Sequence, residues 1–185
     1  HSISSLLMSA WTLGRCVRYC EQKLLSRDVF FIYSLLFLNC LSSFAYHWFL
    51  FMGWKMYDES TMILPLWFGI QFILYVLFYK QPQKLRCHLF ISNVVSTSTL
   101  VINSFPEQQS LFPYLFTCEI IYLGYLYKQL RIQVDDINNH GNLGVSLCIF
   151  SGFTWWVTET FCNSYLRFGH TVWHIGMPIG IDFIL

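Results

Sequence analysis

The sequence predicts an all-α integral membrane protein, a bundle of seven membrane-spanning helices. Three observations predict it. Of 185 residues, 55% are hydrophobic, 19% aromatic and only 11% charged, where soluble domains carry about 25% charged residues. The apolar residues gather into runs close to the ~20 residues that a spanning helix needs. The basic residues fall almost entirely into alternate loops between those runs.

The runs are, in order, 1–18, 29–51, 59–79, 87–105, 108–127, 142–162 and 166–185. Short polar stretches separate them: "RYCEQKLLSRD", "MGWKMYD", "KQPQKLR", "SFPEQQ", "KQLRIQVDDINNHGN" and "NSYLRF". Pro65 and Pro178 read as kinks inside the third and seventh spans, tolerated there because neighbouring helices re-satisfy the freed backbone groups. No linker, repeat or low-complexity tract interrupts the chain, so residues 1–185 read as a single domain. Both ends read as cut: the first residue is His1 rather than Met, and Leu185 stops inside an apolar run. The expectation is a piece of a longer protein that lacks a segment before the first span and a tail after the last.

Arg15, Arg18, Lys23 and Arg27 follow the first span, Lys80, Lys84 and Arg86 the third, and Lys128 and Arg131 the fifth. Only Lys55 and Arg167 lie in the loops on the other side. Basic residues favour the cytosolic face, which predicts a lumenal N-terminus and a cytosolic C-terminus. The net charge of +1 says nothing about nucleic acid, and no basic run suggests it, so no nucleic-acid partner is expected. The seven cysteines contain no CxxC pair, which argues against a cysteine zinc site or a dense disulfide framework; most read as packing residues.

Against this apolar background a few polar residues converge. Ser43 and His47, four apart, project from one face at the lumenal end of the second span. Asp58 opens the third span on the same side. "FGHTVWH" puts His170 and His174 one turn apart in the lumenal half of the seventh. Taken singly, each has an ordinary structural role: Ser43 as a hydroxyl bonded back to its own helix, Asp58 as an acid favoured at a helix start, His47 as an interfacial residue. Together they place three histidines, a serine and an aspartate at one depth. Three neutral imidazoles with an open fourth position make a catalytic zinc site, and ionisable groups inside spans are functional candidates. Glu159, in "WWVTETFC", sits near the lumenal end of the sixth span and could support a ligand from outside. Glu119 lies in the middle of the fifth span and must face protein or trapped water. Asp182 reads as reaching the cytosolic interface, and His88 and His140 as cytosolic-side residues remote from the site.

The pattern Ser-x3-His, then Asp eleven residues on, then a late His-x3-His, resembles the superfamily of alkaline ceramidases, progestin/adipoQ-type receptors and GPI-remodelling lipases. Within it the chain is most similar to the alkaline ceramidases, in "KMYDESTMI", "WWVTETFCNSYLRF" and "HTVWH". The resemblance implies that His47, His170 and His174 hold zinc, with Ser43 and Asp58 facing the water that zinc activates. It implies hydrolysis of ceramide to a sphingoid base and a fatty acid, in an endoplasmic reticulum or Golgi membrane, with the lipid substrate entering laterally from the bilayer. The family also carries an acidic N-terminal segment that binds calcium, which this chain would begin after; Ca2+ dependence would reside there. Glu159 stands where an Asp is usual, and Cys162 matches a family cysteine that could pair with one in that segment.

Two other readings share the five residues. A receptor of the progestin/adipoQ type would bind lipid without turnover, but such receptors resemble the opposite topology. A GPI-lipid esterase would lack the patch around Glu159. A transporter is disfavoured, since neither an inverted repeat nor a pair of broken helices is visible.

Overall fold

The computed structural model describes residues 2–21, 27–133, 139–161 and 167–184. Among them are seven α-helices and no strand: α1 (Ser2–Glu21), α2 (Arg27–Phe49), α3 (Met52–Phe78), α4 (Pro82–Asn103), α5 (Phe112–Gln133), α6 (Asn139–Phe161) and α7 (Arg167–Ile184), with a short 3-10 helix at Pro106–Leu111. The protein is thus an all-α membrane protein. Arg27–Phe49, Gly53–Phe78 and Pro82–Asn103 are each long and apolar enough to cross a membrane by length and composition.

The helices follow the apolar runs with shifted ends. Pro82 starts α4, where its missing N–H costs no helical hydrogen bond, five residues before the apolar run begins. The stretch around "SFPEQQ" coils into the 3-10 helix, so α5 starts at Phe112 rather than 108. The largest shift concerns "MGWKMYD", expected as a loop. Only Leu50, with a positive φ of 52°, and the extended Phe51 break the chain there; the helix resumes at Met52. Nothing after Gly53 in that stretch breaks a helix, and Lys55 reaches Glu59 one turn on, 3.5 Å away. Asp58 therefore does not open the helix. It lies well inside it, and a helix-start role for this residue is excluded.

Neighbouring helices pack in sequence, α1 on α2, α2 on α3, α3 on α4 and α5, and α6 on α7 along its length, while α7 also meets α1. The α6–α7 approach is close because it is lined with glycine: a Cβ built on Gly144 would lie 2.5 Å from the Gly180 carbonyl oxygen, and one on Gly180 2.8 Å from that of Gly144. Small residues permit this contact, from which membrane helices draw their packing energy. The core is apolar, built from residues such as Ile63, Leu66, Ile70 and Leu74 of α3, Phe112 and Phe116 of α5, Trp155 of α6 and Trp173 of α7.

The buried face of α4 is different: Ser92, Ser96, Thr99 and Asn103. Leu85, Leu89 and Leu100 pack at the edge of the core, and this polar face adds hydrogen bonds. Asn103 donates to the Met56 carbonyl (3.1 Å) and to Ser60 Oγ (3.0 Å), while Ser96 and Thr99 donate to the two carboxyl oxygens of Glu119 at 3.2 and 3.0 Å. This supplies the partner that the mid-span Glu119 requires. Asp182 of α7 is held by Arg15 of α1 and Tyr33 of α2. Its periodic position on α7 could not reveal partners on helices so distant in sequence. Cys40 and Cys148 are buried as packing residues, whereas Cys20, Cys87 and Cys118 lie on the outer surface; Cys162 lies outside the described residues.

Candidate metal centre

Helix periodicity brings the polar residues together. On α2, Asn39, Ser43 and His47 recur at four-residue intervals and therefore share a face. On α7, His170 and His174 do the same. The rotation of α7 is fixed from behind by Trp173, which packs on Trp155 and Phe116 with ring centroids 5.7 and 5.5 Å away, so the two histidines turn towards α2.

The three imidazoles converge. His47 Nε2 lies 3.0 Å from His170 Nε2 and 3.3 Å from His174 Nε2. Their rings stand nearly perpendicular, at 88° and 87°, rather than stacked. One ligating nitrogen from each lies within 4.8 Å of the others. Ligands about 2.0–2.1 Å from a tetrahedral zinc lie about 3.3 Å apart, so the two spacings to His47 fit one ion shared by the three residues. His170 and His174 are buried and His47 half-buried; the cost of burying a cation there would be offset by its bonds to the three imidazoles.

Ser43, fully buried, has its Oγ 3.0 Å from His174 Nε2. It also receives a hydrogen bond from Ser5 Oγ of α1 at 3.3 Å. Ser5 is absent from the residues to which the sequence points. The signal that could have found it is the spacing of Ser5, Ser9 and Thr12 on one face of α1; all three are buried. Asp58 is buried on α3 against α2, where Asn39 Nδ2 donates to its backbone carbonyl at 3.2 Å and to Thr61 Oγ1 at 3.1 Å. Asn39 thereby sets the depth of α3 against the helix that carries Ser43 and His47. Glu159 belongs to α6, but its side chain lies outside the described residues. His88 stacks on Phe78 and meets Tyr122, and His140 stacks near Phe183; neither joins the cluster. A cavity of about 1290 Å³ between α2, α3 and α4, lined by residues such as Phe31, Phe68 and Phe72, contains none of the five candidate residues. Donor chemistry, rather than cavity size, marks the site.

A comparison with known families matches the ceramidase family over residues 1–185. The chain belongs to the ceramidase family. No curated protein and no solved structure matches it. Membership identifies a ceramide-directed hydrolase fold, and the three-histidine cluster is its candidate metal centre.

Proposed function

We propose that this ceramidase-family protein is a zinc-dependent intramembrane amidase that hydrolyses ceramide to a sphingoid base and a free fatty acid. The observation that carries the reading is the convergence of His47, His170 and His174 at spacings suited to a tetrahedral ion. Neutral imidazoles are the donors that zinc prefers in hydrolytic sites, and three of them leave a fourth position for chemistry. Bound there, zinc would supply Lewis acidity and activate water for attack at neutral pH.

The remaining work falls to the chain's own side chains. Ser43 donates its hydroxyl hydrogen to the oxygen that gains negative charge when the amide carbon becomes tetrahedral. Asp58 accepts the proton released by the attacking water and passes it to the departing nitrogen, which leaves as the amine of the sphingoid base. Ser5 orients Ser43 through its hydrogen bond. The buried setting excludes bulk water, which strengthens each of these interactions.

Residues 1–185 act in this reading as one hydrolase domain whose seven helices all cross the bilayer. The N-terminus is lumenal, the C-terminus cytosolic and the membrane that of the endoplasmic reticulum or Golgi. The asymmetry of basic residues supports this orientation. It places the histidines near the lumenal leaflet, where the chains of ceramide stay in lipid while its amide reaches the site. The reading is tested by following release of fatty acid and sphingoid base from ceramide before chelation, after chelation and after zinc is restored. Loss and recovery of both products is expected; turnover indifferent to chelation in metal-free protein contradicts it.

A further inference from the structure

The histidine cluster depends on α7, which carries two of its members, standing correctly against α2, which carries the third. Polar contacts join α7 to α2 at two levels, and at the second of them to α1 as well. One is the site itself, with Ser43, His47, His170 and His174. The other lies about 12 Å further along α7, eight residues at 1.5 Å each, and is centred on Asp182. There Arg15 donates from Nε to Oδ1 at 2.9 Å and from Nη2 to Oδ2 at 2.7 Å, a two-pronged pair. Tyr33 donates its hydroxyl to the same carboxylate, and Arg15 is itself held by Tyr19 Oη at 2.7 Å, lying 4.8 Å over its ring. Asp182 is almost wholly buried, with a side-chain exposure of 7%.

We propose that Arg15, Tyr33 and Asp182 form a clamp that sets α7 against α1 and α2 and so holds His170 and His174 within metal-binding distance of His47. The inference rests on the three-histidine metal reading above. Two features support it. The clamp engages the same three helices as the site, since Ser5, Ser43 and His174 sit on α1, α2 and α7, as do Arg15, Tyr33 and Asp182. The planar guanidinium fork and the carboxylate allow one mutual orientation, unlike an apolar contact that tolerates sliding. Packing of Trp173 on Trp155 and Phe116 sets α7 against α6 and α5, whereas the clamp is the polar tie of this end of α7 to α1 and α2.

Arg15, Tyr33 and Asp182 touch neither metal nor substrate, so they are positioning residues, and their test reads metal affinity and geometry rather than turnover. Zinc affinity of the purified protein in detergent is measured by competition with a chelator of known strength. Arg15→Gln and Asp182→Asn are each expected to weaken zinc binding by about 10–100-fold, the range for losing groups that orient ligands, and the double variant to be no weaker than the weaker single. Asn103→Ala, which removes hydrogen bonds between α3 and α4, is expected to lower thermal stability while leaving zinc affinity within about twofold. In metal-free protein, the distance distribution between spin labels at Leu41 and Ile175 is expected to broaden in Asp182→Asn and not in Asn103→Ala. Should Asp182→Asn fail to accumulate, Tyr33→Phe keeps the charge pair and should show the same changes more weakly. Unaltered zinc affinity and unaltered distances in folded clamp variants would overturn the proposal, as would an equal loss of affinity in Asn103→Ala. If the wild-type protein binds no zinc, the metal reading fails, and the distance measurement alone decides whether the clamp positions α7.

Discussion

Ser43 Oγ lies 3.0 Å from His174 Nε2, across the seam between α2 and α7. A buried serine often bonds the carbonyl one turn back in its own helix, as Ser42 does to Leu38. Ser43 instead faces the histidines and is held there by Ser5. The two adjacent serines divide the roles that the sequence left open for one. The hydroxyl stands beside the imidazoles without displacing any of them, as an oxyanion donor must.

Ser43→Ala is therefore expected to keep its metal and lose turnover, since removing one such donor typically costs about 10²–10³ in rate. Metal content and ceramide hydrolysis measured on the same preparation decide this. Loss of zinc in Ser43→Ala would make the serine a ligand or a scaffold instead.

Asp58→Asn preserves shape but cannot accept a proton at neutral pH. The expected result is bound zinc and a rate lower by about 10²–10⁴, the usual contribution of a positioned proton carrier. Near-normal turnover would reduce Asp58 to a packing residue on α3.

The hydrogen bond from Thr99 to Glu119 gives a prediction independent of catalysis. Thr99→Val removes one of two donors to a buried carboxyl, and polar contacts between membrane helices are worth about 0.6 kcal/mol on average and up to about 1.7. Unfolding in mixed micelles should show a loss in that range. A stabilised Thr99→Val would mean that the hydroxyl is not needed by Glu119.

Topology is checked with a tag inserted at Gln81, between α3 and α4. In sealed microsomes with the cytosolic face outward, the tag should be cleaved by added protease while one beside Lys55 is protected. Equal cleavage of both contradicts α3 as a membrane crossing and with it the lumenal placement of the histidines.

Much of this was legible in the residues. Seven helices follow from seven apolar runs, and Ser43, His47, His170 and His174 were found by four-residue spacing, because a helix converts that spacing directly into a shared face. What escaped was set by other helices. Residues 52–58 read as a loop because Lys55 and Asp58 dilute the apolar pattern, yet no breaker follows Gly53 to end a helix there. Ser5 resembles any small polar residue until α2 is laid beside it, and nothing near Asp182 in the sequence points to Arg15 and Tyr33 as its partners. Pairings between distant helices leave no local periodic trace.

The metal content of purified protein tests the central claim most directly. Elemental analysis should find one zinc per chain in the wild-type protein and none above background in His170→Ala/His174→Ala, since the loss of two of three imidazoles dismantles the tetrahedral donor set. Stoichiometric zinc retained in the folded double variant, or a wild-type protein that hydrolyses ceramide without zinc, would contradict it.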